Sequence, residues 1–160
     1  RLRKFKSCKR TLDTLIQETT DSGYDLISQG AKAEMLRLAL MQKDSQAFIR
    51  AFNRHGTCIK ESEYKGIKIL AAVLEGQGTL LQGKLHDAKT QLSQARDAAR
   101  ENNYLWIQLE AQRSLVEAGA DQEQNKKDAR RLIKKVEFGC EIPELKNGLE
   151  KLKKQWYIEK

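Results

Sequence analysis

Apolar residues recur along this chain every three or four positions, the spacing of one face of an α-helix. Leu12, Leu15 and Ile16 mark a first helix over about 3–19, closed by TTDSG at 19–23. A second runs from Tyr24 to about Gln42, with Ile27, Ala31 and Leu38 on its apolar side. A short third follows Asp44 and carries Ala47, Phe48, Ala51 and Phe52 on one face. Gly56 is expected to stop that helix at positive φ, with His55 in its last turn beside the negative dipole end. Ile67, Leu70, Ala71 and Leu74 define a fourth helix, and Leu85, Ala88, Leu92, Ala95 and Ala99 a fifth. The sixth, NYLWIQLEAQRSLVEA, opens at Asn103 and has two apolar stripes. One is Tyr104, Ile107, Ala111 and Leu115; the other is Leu105, Leu109 and Val116. A helix apolar on two sides packs between neighbours, so Trp106 is expected in the core. The seventh carries Ala129, Leu132, Ile133 and Val136, with Gly139 just past its end. Pro143 suits the first position of an eighth over 143–158, ending near Trp156 and Tyr157. Nothing alternates with period two, and the loops are short enough for antiparallel hairpins. The expected fold class is all-α, with about seven to eight helices.

The pattern also repeats at longer range. Ala47, Ala88 and Ala129 stand 41 residues apart, each near the start of a second helix. Leu92 corresponds in the same register to Ala51 and Ile133, and Tyr24 falls opposite Trp106. A period in this range marks stacked helix pairs, each too small to bury its apolar face alone. The expected units are 22–56, 59–101 and 103–139 within one domain, flanked by the helices at 3–19 and 143–158.

Within the middle unit, GQGTLLQGKLHDAKTQLSQARDAARENN resembles a tetratricopeptide repeat. Gly76, Gly83, Ala88 and Ala95 stand at that family's spacing for small residues, and Leu92 at an apolar position. The longer period and the ending ARDAARENN look more like the repeats of LuxR-type, MalT-like regulators and related signalling ATPases. Ala72 and Thr79 occupy positions where the family prefers aromatics, and Gln42 and Gln124 replace Gly83 in the other units. The resemblance implies a right-handed solenoid of hairpins whose first helices, here 22–42, 59–76 and 103–118, line a concave binding face. By position and side-chain type, Tyr64, Lys68, Gln77, Gln108, Gln112 and Arg113 are the candidate partner-binding residues. Their amides and cations suit a peptide backbone or a carboxylate.

Charge adds a rival. The 160 residues carry a formal net charge of +8, with six basic residues in RLRKFKSCKR and more in NKKDARRLIKK at 125–135. Such faces attract nucleic acid, anionic membranes or acidic proteins. No aromatic residues interleave with them as single-strand stacking requires. A basic helical nucleic-acid-binding domain is the alternative to the scaffold reading. Cys8, Cys58 and Cys140 are odd in number and far apart, which suits a reducing compartment. No apolar run approaches the ~20 residues of a membrane span. A cytoplasmic location is therefore expected. The start at Arg1 suggests a piece of a larger protein, and other domains of that protein are candidate partners.

Little in the chain suggests chemistry. GTLLQGKL at 78–85 satisfies all but the last position of the phosphate-binding pattern G-x-x-x-x-G-K-[ST]. Leu85 stands where a magnesium-binding hydroxyl is needed, in register with the apolar stripe of the fifth helix. This segment is expected to be a turn between helices, with Gly83 at the bend and Lys84 in solvent. His55 and the His86-Asp87 pair lack further donors at metal-ligand spacing, and no serine sits in a G-x-S-x-G turn. The expectation is therefore no enzyme, no cofactor and no metal. The last helix, with Leu145, Leu149, Leu152 and Trp156 on one stripe, is a candidate cap or dimer seam.

Overall fold

A computed structural model describes residues 2–120 and 122–138. It contains seven helices among the described residues and no strand. They are α1 (Leu2–Asp21), α2 (Asp25–Met41), α3 (Ser45–Lys60), α4 (Lys65–Leu81), α5 (Leu85–Glu101), α6 (Leu105–Glu117) and α7 (Gln122–Phe138). The expected eighth helix, its apolar stripe and the stop at Gly139 lie outside the described residues, as does Cys140.

The turns explain how so much helix fits into a short chain. Gly23, Lys43, Gly83, Asn103 and Gly119 take positive φ, each just past the end of a helix. At four of these stops two backbone hydrogen bonds close the end. Gly83 N–H donates to Leu80 O at 2.9 Å and Lys84 N–H to Thr79 O at 3.2 Å. Gly23, Asn103 and Gly119 repeat the arrangement, with Tyr24, Tyr104 and Ala120 as the following donors. Carbonyls left without intrahelical partners are thereby satisfied, and a left-handed residue reverses the chain within a few positions. The α3–α4 link is built differently. Buried Ser62 accepts Tyr64 N–H through Oγ at 3.0 Å, and α4 begins only at Lys65. The expected start at 59 falls instead within α3.

Two expectations about glycine are corrected. Gly56 does not stop α3, which continues for another turn to Lys60. Ile59 on that extra turn is fully buried, and burying such a side chain is worth roughly 1.5–3 kcal/mol. That exceeds the ~1 kcal/mol helix penalty of glycine. Gly78 is likewise inside α4, not in the turn that follows. A Cβ there would lie 1.8 Å from Phe48 Cε1, so Gly78 is the notch through which α4 clears the aromatic ring of α3.

The chain divides into two compact units, Arg1–Gln91 and Leu92–Lys160. In the first, α2 packs against α1, α3 and α4, and α3 against α4. With three neighbours, α2 buries Ala31, Ala33, Met35, Leu36, Leu38 and Ala39 over much of its circumference. Polar ties accompany the apolar core. Thr20 and Ser28 hydroxyls meet at 2.8 Å between α1 and α2, and Lys60 pairs with Glu75 at 2.9 Å between α3 and α4. In the second unit α6 packs against α7. Leu109, Ala129, Leu132 and Ile133 form its buried cluster, with Leu105 and Val136 against it.

Helix starts recur more regularly than side chains do. First helices begin at 25, 65 and 105 and the next ones at 45 and 85, in steps of 40, while α7 begins at 122, three residues short of that step. The period is one residue shorter than the 41 read from the alanines. The residue before each first helix is a tyrosine (Tyr24, Tyr64, Tyr104), and all three side chains are exposed.

Candidate interaction groove

Where α1, α2 and α3 meet, the first unit leaves a groove of about 390 Å³. Its floor comes mainly from α2, through buried Met35, Leu38 and Ala39. The α3 wall adds half-buried Ala47 and Ala51 with Arg50 and Arg54; α1 contributes Lys9 and Asp13. Small side chains on α3 make the depression possible, because Ala47 and Ala51 stand one turn apart and leave the α2 surface uncovered. Gln42, where α2 ends, borders the groove.

The electrostatics are asymmetric. Lys9, Arg50 and Arg54 are exposed and have no carboxylate partner among the described residues. Asp13 is the one acidic side chain of the lining. His55 is buried at the inner end. Desolvation lowers its pKa below the usual 6.5, Arg54 and Lys32 lower it further, and Asp13 opposes them. At neutral pH the groove therefore presents an aliphatic floor, a neutral imidazole and a cationic rim.

None of the six residues singled out in the sequence lines this groove. Tyr64 and Lys68 are exposed one turn apart at the start of α4, and Gln77 is half-buried near its end. Gln108, Gln112 and Arg113 sit on α6 in the other unit. Arg113 is exposed and pairs with Glu117 at 2.9 Å. Gln112 is only 1% exposed. Its amide donates to the backbone and side-chain oxygens of Asn125, whose own amide donates to Ala120 O. The Gln112 side chain thus clasps α7 to α6 and is committed inside the unit. Trp106, expected in the core, is 41% exposed, because the stripe facing α7 is that of Leu105 and Leu109.

The phosphate-loop lookalike resolves into two structural glycines and two exposed side chains. Gly83 has φ 80° at the bend and Lys84 lies in solvent, as expected. Leu85 is exposed and does not start the buried stripe, which begins at Ala88. His86 is exposed on α5, in contrast to buried His55 on α3. Among the described residues no three His, Cys, Asp or Glu side chains stand together as a metal site, and no helix is long and apolar enough to cross a membrane.

The signal for the groove was present in the sequence as Arg50 and Arg54 interleaved with Ala47 and Ala51 on one helix. The resemblance points to first helices as the binding face, and α3 is a second helix. No family model matches the chain, and neither a curated protein nor a solved structure does.

Proposed function

We propose that the chain is a non-catalytic interaction module, a tetratricopeptide-like hairpin scaffold that binds a polypeptide segment of a partner. The observation that carries this reading is the groove over α2, with its aliphatic floor and its exposed cations at the rim. Clefts of ~300–1,000 Å³ with an apolar lining and a few placed polar groups are the usual form of a binding site. A volume of about 390 Å³ takes one or two side chains of a segment, not a folded surface. The recurring helix starts and left-handed stops support the scaffold part of the reading. The proposal extends to successive hairpins stacking in a right-handed solenoid, which a crystal structure of the full chain tests.

Selection from a phage-displayed library of random dodecapeptides should enrich sequences that bind the intact chain. No enrichment would remove this reading. The rival is nucleic-acid binding, favoured by the exposed cations Lys127, Arg131, Lys134 and Lys135 on α7. Its signature is DNA or RNA affinity that falls steeply with salt and weakens when these four are replaced by Gln.

A further inference from the structure

We propose that the groove formed by α1, α2 and α3 docks an acidic amphipathic segment of a partner protein, with carboxylates on Arg50, Arg54 and Lys9 and an aliphatic side chain over Met35 and Leu38. The inference rests on the interaction-module reading and specifies where that module binds and what it takes.

Charge complementarity selects the occupant. Arg50 and Arg54 stand one turn apart on the same wall, both exposed and both without an acidic partner among the described residues. Guanidinium forks match carboxylates in planar, two-bonded geometry, and a pair at i and i+4 reads two acidic residues of an approaching chain. Lys9 offers a third cation from the α1 wall. Asp13 on that wall can accept a backbone N–H of the bound segment, which a polyanionic backbone could not supply.

The floor discriminates further. Met35, Leu38, Ala39, Ala47 and Ala51 present aliphatic surface, and the one aromatic ring of the lining, the His55 imidazole, is buried away from a stacking base. Nucleic acid therefore gains the rim but not the floor, whereas a Leu or Ile side chain flanked by Glu or Asp gains both. A second copy of this chain is disfavoured by its own +8 charge. The segment 139–160 has four glutamates and five lysines, so it lacks the acidic surplus the rim demands.

The test uses the full chain and the peptides enriched in the selection described above. Acidic residues beside Leu, Ile or Phe should dominate the enriched set. Fluorescence anisotropy with synthetic copies should show binding that weakens about tenfold or more in the Arg50→Glu/Arg54→Glu double variant, because like charges then face each other. Ala51→Trp, which fills the groove from its wall, should have a similar effect. Lys65→Glu/Lys84→Glu, outside the groove, should leave affinity within about twofold, and circular dichroism should report native helicity for every variant compared. Enriched peptides that ignore both groove variants would overturn the location while the interaction-module reading survives. Peptides without acidic residues that still respond to Ala51→Trp would overturn the charge specificity. An oligonucleotide that displaces the peptides, or self-association abolished by Arg50→Glu/Arg54→Glu, would replace the occupant. An empty selection would remove the broader reading as well.

Discussion

The turn at Gln42–Lys43–Asp44 and the turn at Gln82–Gly83–Lys84 are the same bend, 40 positions apart, built from different chemistry. Both middle residues are left-handed, with φ 56° at Lys43 and φ 80° at Gly83. Both third residues accept the first hydrogen bond of the next helix at 3.0 Å, Asp44 O from Phe48 N–H and Lys84 O from Ala88 N–H. The first turn places a side chain with a Cβ in a conformation that costs about 1–2 kcal/mol. It offsets this with a cap, because Asp44 Oδ1 accepts Gln46 N–H at 2.9 Å and Ala47 N–H at 3.0 Å. The second turn has glycine at the bend and a lysine at the capping position. Helix geometry fixes the bend, and each sequence meets it by stabilising a different residue.

The helices entering these turns show a parallel exchange. Leu38 of α2 and Gly78 of α4 share one register, as do Phe48 of α3 and Ala88 of α5. Leu38 lines the groove, whereas Gly78 makes room for Phe48. Arg50 and Arg54 correspond to Thr90 and Gln94, so the second hairpin does not repeat the cationic rim, whereas Arg130 and Lys134 stand in the same register further on.

Substitutions can break this comparison at several strengths. Gly78→Ala should have the largest effect, because its Cβ meets the Phe48 ring and not a flexible side-chain end. Overpacking of this kind costs about 1–3 kcal/mol in urea unfolding, and Phe48→Leu in the same chain should recover part of it. No loss for Gly78→Ala would mean that α3 and α4 approach less closely. Gly83→Ala should cost about 1–2 kcal/mol, since alanine pays at positive φ what glycine does not. The converse, Lys43→Gly, should stabilise by up to about 1 kcal/mol despite the added chain entropy of glycine.

Exchanging the caps gives smaller effects of opposite sign. Asp44→Ala should lower stability by about 1 kcal/mol, and Lys84→Asp should raise it by a comparable or smaller amount. For a chain of this size each kcal/mol is a shift of about 2–4 °C in Tm, which calorimetry resolves. Equal responses at the two sites would show that Asp44 is not what supports the Lys43 bend.

The smallest effect is confined to acid. His55 has a folded pKa below its ordinary value, so the unfolded chain binds a proton more readily. Stability should therefore decline as pH falls through 6.5 and stop declining, for this residue, below the lowered folded value. Lys32 from α2, Arg54 from α3 and Asp13 from α1 act on the same imidazole. His55→Leu should flatten that part of the curve, and Asp13→Asn should deepen the decline by removing the opposing charge. An unchanged pH profile in His55→Leu would assign the acid sensitivity elsewhere.

Local spacing made most helices legible. The second helix was expected over 24–42 and runs over Asp25–Met41, and the bend at Gly83 was anticipated. The errors share a cause, since each needed a neighbour that spacing does not reveal. Gly56 has the local character of a stop, but α3 continues past it and buries Ile59. Trp106 is expected in the core because its helix is apolar on two sides, yet α7 covers the adjacent stripe. Gln112 looked available by residue type but is consumed by Asn125.

The sequence by itself determined that this chain is helical and where most reversals fall, because periodicity, glycine and capping residues act within a few positions of one another. Tertiary structure alone decided which polar side chains remain free. It turned Gly78 from a phosphate-loop letter into a notch for Phe48, buried Gln112, and left Arg50 and Arg54 without a carboxylate partner among the described residues, beside a floor supplied by α2. Those outcomes depend on contacts between residues tens of positions apart, where burial and desolvation outweigh local preference.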